Sequence, residues 1–213
     1  MRWDSLFDDL EGQLEQELRA DELDQFAEEE RLRIGRLSLR DRLVAVHDGA
    51  AHDTARHDGA DRDGQPPVRV ILNSGEHLVL RTLSFGRDWF TAQLVGDTRR
   101  PVQCVVPLAA IATVVLSRAQ TELSLVPSTE PATTTGQSTL AARLTLPFVL
   151  RDLCRRRAPV DVRTTFGDVH GTIDRVGRDH FDLATHESGR PRRQSAVVDH
   201  RVIPLDRLLL LRL

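Results

Sequence analysis

Apolar residues recur at steps of three and four over the first positions of this chain. Trp3, Leu6, Phe7, Leu10, Leu14 and Leu18 form one stripe, and Leu23, Phe26, Ile34 and Leu37 extend it past a weaker turn at Asp21 and Glu22. That period predicts an amphipathic helix over residues 1–34, interrupted only by Gly12, which costs about 1 kcal/mol relative to Ala. A helix of up to about 30 residues would span about 45 Å, more than a small domain covers, so its seam calls for a partner helix, a partner protein or a second copy.

Further along, the period changes to two. Val68, Val70 and Leu72 alternate with polar residues, as do Val160, Val162 and Thr164, and both runs read as half-buried strands. Each is followed by a glycine and an acid (Gly75-Glu76, Gly167-Asp168), then a second strand, then a Gly-Arg-Asp turn at 86–88 and 177–179. A third strand carries Trp89 and Phe90, or His180 and Phe181. After it come Val105-Val106-Pro107-Leu108 and Val202-Ile203-Pro204-Leu205, whose proline suits an edge or a strand start. A short helix precedes each set. Ser38 and Thr145 stand where N-caps would, with Leu43 and Leu150 on the inner face.

These blocks occur twice in the same order, at an offset of 92 residues from the first strand to the Gly-acid turn and 91 from the Gly-Arg-Asp turn through the third strand, which marks an internal duplication. The predicted organisation is an acidic helix over 1–34 and a first repeat over 35–116 with an inserted mobile loop at 47–66. A Ser/Thr/Pro-rich linker at 117–138 then leads to a second repeat over 139–213. The fold class expected is mainly β with α (α+β), with each repeat a short helix followed by about five short strands in a small barrel. The two repeats are expected to pack through strand edges as a pseudo-dimer.

The 213 residues include 29 Arg and no Lys, 32 acids, two Cys and no Tyr, for a net charge of −3. The charge is unevenly placed. Residues 4–30 hold twelve acids against Arg19 alone, so an acidic arm precedes a mildly basic body. The longest apolar run, Val105–Leu116, is too short for the roughly 20 residues of a membrane span. With an acidic start and no secretory pattern, a cytoplasmic location is expected, without membrane. Cys104 and Cys154 make no disulfide framework.

A helix, a strand ending in a Gly-acid turn, a strand leading to Gly-x-Asp-x-Phe and a Val-Pro-Leu-x-x-Ile strand resemble the Sm-like (SH3-like) small β-barrel. Residues 167–181 carry the fuller motif. The arrangement also resembles uncharacterised two-barrel proteins of GC-rich bacteria. The resemblance implies RNA binding through turn residues and ring assembly through strand edges. The asparagine such proteins use for base recognition is replaced here by Thr91 and Asp182, and the usual Arg-Gly turn before the last strand is absent.

No Gly-rich phosphate loop, Gly-x-Ser-x-Gly element or metal-ligand spacing is present, so no enzyme, metal or cofactor is expected. The His-Asp pairs at 47–48, 52–53 and 57–58 recur every five residues, a step that does not keep ligands on one helix face. His170 and His186 have no acid at a useful sequence spacing. Cys154 is expected on an apolar helix face. The expected function is a regulatory adaptor whose barrels and helix bind macromolecules. A protein partner, or self-association as in a coiled coil, would use Trp3, Phe7, Leu10, Leu14 and Leu18. The alternative is an RNA- or DNA-binding regulator. Its phosphate contacts would be Arg99, Arg100, Arg190, Arg192 and Arg193 with Arg155, Arg156 and Arg157, and Trp89, Phe90 or Phe181 could stack bases if exposed.

Overall fold

A computed structural model describes residue 19 and residues 22–56, 66–96, 101–126, 140–187 and 197–213, with backbone only for 51–56. Two compact units result, Met1–Ser38 and Leu39–Leu213. Within the first, helix α1 covers residues 22–35. The upstream seam residues lie outside the described residues.

The second unit is a mixed α+β structure built on ten antiparallel strands. Helix α2 (Leu39–Arg56) leads into β1 (Val68–Leu72), β2 (His77–Phe85), β3 (Trp89–Leu94), β4 (Val102–Pro107) and β5 (Ile111–Val115). Helix α3 (Arg118–Leu125) and helix α4 (Leu146–Arg156) follow. The second set of strands is β6 (Pro159–Thr164), β7 (Gly167–Val176), β8 (His180–Thr185), β9 (Asp199–Pro204) and β10 (Leu208–Arg212). The sheet order is β5-β1-β2-β3-β4-β10-β6-β7-β8-β9, an open sheet ending in β5 and β9.

The register repeats along with the sequence. Val70 pairs with Leu78 and Val114, and Val162 pairs with Val169 and Leu211. A bulge interrupts the β2–β3 ladder between Thr82 and Ser84 and the β7–β8 ladder between Ile173 and Arg175, at equivalent positions. A bulge bends and twists its strand, so both halves curve at the same place. Gly75 and Gly167 have φ of 84° and 128°, which glycine alone adopts readily, and this closes the first hairpin of each half.

Two hydrophobic clusters lie on this frame. Leu43 and Val46 of α2 pack on Val70, Leu72, Leu80, Phe90 and Val106 in one. Leu146, Leu150 and Leu153 of α4 pack on Val162, Ile173, Phe181, Leu183 and Leu211 in the other. Each cluster borrows from the opposite half: Leu209 and Leu210 complete the first, and Trp89 and Val105 complete the second. The halves are joined where β4 pairs with β10.

Four expectations need correction. Residues 47–56 continue α2 rather than opening a loop. His47 is held at Thr82 Oγ1 (3.0 Å) and edge-on to Phe85, and no proline interrupts the segment. Gly49 lies so close to Leu123 that a Cβ would approach Leu123 Cδ2 to 2.9 Å, so the glycine admits α3. Likewise residues 117–125 are not linker, because Ser117 and Gln120 form a reciprocal capping box that starts α3. Third, Pro107 closes β4, a strand paired on both sides, rather than beginning an edge. Fourth, Trp89, Phe90 and Phe181 are all buried and present no face for stacking bases.

Candidate functional site

The closest-built feature of the second unit is the seam between halves. Gly86 lets the ring of Trp89 fold back over its own turn, since a Cβ there would meet the indole at 2.2 Å. The indole Nε1 then donates to Leu144 O (3.0 Å), and the Arg87 amide donates to the same carbonyl (2.9 Å). Asp88 Oδ1 accepts the Leu146 amide at 2.8 Å. Thr145 occupies the N-cap position of α4 without a side-chain cap bond, so the first half caps the second half's helix.

Below this seam, Arg163 of β6 is bound by Asp168 (2.7 and 2.8 Å) and by Glu76 of the first half. Its guanidinium holds the Asp168 carboxyl below the usual carboxylate range. Sequence reasoning singled out both Gly-acid turns but had no signal that one arginine, 87 residues from Glu76, serves both.

An open groove of about 520 Å³ lies between α2, β5 and α3, lined by Leu39, Arg42, Leu43, Val114, Val115 and Leu116. Arg42 is turned to its wall, with Nε and Nη2 donating to Ser124 Oγ at 3.2 and 2.9 Å.

A polar array occupies β6 and β7. His170 Nδ1 lies 2.6 Å from Asp161 Oδ1, its ring meets that of His186 edge-on at 5.0 Å, and Thr172 Oγ1 lies 2.9 Å from His186 Nε2. The acid absent from the sequence spacing of His170 is thus supplied across the ladder. Thr172 and His186 are buried, and His170 Nε2 is buried without a hydrogen-bond partner. The hydroxyl is accordingly shielded from any substrate. Among the described residues no group of three or more His, Cys, Asp or Glu could hold a metal ion. Cys104 is buried, its Sγ donates to Ala92 O (3.4 Å), and burial pushes the thiol up to about 11. It is therefore a poor nucleophile near neutrality.

No family model, curated protein or solved structure matches this chain. What it binds must be argued from its own residues.

Arg155, Arg156 and Arg157 lie together at the C-terminal end of α4, all exposed. Asp152 takes both Arg155 and Arg156, the latter at 2.7 Å, and Arg157 ends the helix in the left-handed conformation (φ 49°). Arg99, Arg100, Arg190, Arg192 and Arg193 lie outside the described residues, as do Trp3, Phe7, Leu10, Leu14 and Leu18. In α1, Leu23 and Phe26 stand 70% and 71% exposed. Among the described residues no helix is long and apolar enough to cross a membrane.

Proposed function

We propose that this chain is a non-enzymatic regulatory adaptor of the cytoplasm: two small bent β-barrels carrying an acidic helix that docks on a protein partner. The barrel reading is supported by the matching bulges and by the return of β5 to β1 and of β10 to β6. The partner reading rests on one observation, the exposed Leu23 and Phe26 one turn apart among Glu22, Asp24, Glu28 and Glu29. An apolar pair within acids suits a hydrophobic groove rimmed by basic residues. Burying the pair is worth about 3–6 kcal/mol, below the roughly 8 kcal/mol of a micromolar complex. The remainder falls to Trp3, Phe7, Leu10, Leu14 and Leu18 in the same arm.

The test compares proteins crosslinked to the intact chain with those crosslinked to a Leu23→Asp/Phe26→Asp variant, at low and high salt. A partner retained at high salt and lost in the variant is the expected result. Labelled RNA and DNA oligonucleotides are titrated in parallel. Tight binding that falls steeply with salt would replace the adaptor reading with the arginine-based nucleic-acid regulator. The pairing of Arg155 and Arg156 with Asp152 weighs against that second reading.

A further inference from the structure

The two halves treat one equivalent place differently. In the second half, Leu146 and Leu150 of α4 and Leu211 of β10 share a buried cluster with Trp89, and Val149 packs against it. In the first half their counterparts, Leu39 and Leu43 of α2 and Val114 of β5, line the open groove instead. Leu39 is 41% exposed where Leu146 is 4% exposed. The counterpart of Val149, by the same helix alignment, is Arg42. An aliphatic wall position of the closed site thus carries a cation in the open one.

That cation is oriented without being neutralised. Ser124 of α3 is 1% exposed and donates its hydroxyl proton to Thr121 O at 2.7 Å, which leaves its lone pairs for Nε and Nη2 of Arg42. A hydroxyl fixes the guanidinium but brings no negative charge. Asp41, next to Arg42 in sequence, pairs with Arg40 (3.7 Å), and Glu122, the one acid of α3, pairs with Arg118 (3.1 Å). Among the described residues no carboxylate lies within ion-pair distance of Arg42. It is also the one charged side chain among those lining the groove. A half-buried guanidinium of this kind is completed by a planar, singly charged acceptor that its fork can match.

We propose that the groove binds a small monocarboxylate carried on an alkyl chain. The carboxylate lies on Arg42, and the chain runs along Val114, Val115 and Leu116 over the buried Leu43. The groove's volume of about 520 Å³ is in the usual range for small-molecule sites. A single cation suits one negative charge, and a phosphate would leave its second charge uncompensated. The site lies wholly within residues 39–121, so it goes beyond the adaptor reading and does not depend on α1.

Amide NMR of the full chain titrated with decanoate, below its micelle concentration, tests this. Saturable one-to-one binding is expected, with shifts centred on residues 39–43, 114–116 and 121. Shortening the acid should weaken binding by up to about fourfold per methylene lost. Decanol, with the chain and no charge, and acetate, with the charge and no chain, should each bind at least about tenfold more weakly. Arg42→Gln should cost decanoate about tenfold or more and leave decanol unchanged. Thr121→Glu, at an exposed helix position, keeps the fold and sets a carboxylate beside the site, and it should do the same.

Absence of saturable binding, or decanol binding as tightly as decanoate, would overturn the proposal. So would acetate matching decanoate, which would mark an adventitious ion only. Unchanged decanoate affinity in Thr121→Glu, or in a folded Arg42→Gln, would remove Arg42 from the site. A short peptide with a free C-terminal leucine that outcompetes decanoate would give the groove to chain ends instead.

Discussion

Arg163 works on two carboxylates from different parts of the chain, Asp168 across its own hairpin and Glu76 across the seam. The folded Asp168 carboxyl titrates below its ordinary value, first because Arg163 hydrogen-bonds it. A carboxyl depressed on folding stabilises the protein above its unfolded pKa, and that stabilisation disappears as pH falls through the folded value. Asp168→Asn should therefore lower the melting temperature at pH 7, by a deficit that shrinks as pH falls below the ordinary carboxylate range. With Asp168 largely solvated, the loss at neutral pH is held to about 1 kcal/mol or less, or at most roughly 2–4 °C for a unit this size. Calorimetry across that range checks both parts, and a deficit that grows on acidification would refute them. Both acids are visible in the sequence beside Gly75 and Gly167. Their shared arginine is not, because nothing local ties position 163 to position 76.

Helix α4 starts without help from its own cap residue. Its first amide goes to Asp88, 58 residues upstream, and the same turn holds Leu144 O from Trp89 and Arg87. Asp88→Ala should cost about 1 kcal/mol, the range of an N-cap deletion, whereas Thr145→Ala should cost markedly less. Urea midpoints of the two variants give the comparison, and equal losses would argue against a cap supplied from the first half. Much at this scale is legible in the sequence. The period of two, the turn glycines and the repeat place most strands in order. Helix α3 was legible too, since Ser117 and Gln120 have capping-box spacing, but the Ser/Thr/Pro content of residues 117–138 points toward linker. His47 to Arg56 reads as loop because His-Asp pairs lack an apolar period, and the anchors of His47, Thr82 and Phe85, are distant in sequence. Cross-ladder partners such as Asp161 for His170 are hidden for the same reason.

Strand β10 belongs to both cores. Leu208 and Leu211 pack with the second half, Leu209 and Leu210 with the first, and a register break between Leu208 and Leu210 accompanies the departure from alternation. Leu210→Ala should remove about 2–5 kcal/mol and shift the unfolding of residues 39–213 as one transition, with far- and near-ultraviolet circular dichroism moving together. A second transition confined to one half would show that the cores are separable. The shared strand also sets an order in time. Residues 209 and 210 are made about a hundred residues after β4, so at roughly 5–20 residues per second the first core waits about 5–20 s for its closing leucines. During that interval a nascent chain presents the apolar edge of β4 unfilled. The cell must shield it until β10 emerges from the ribosome.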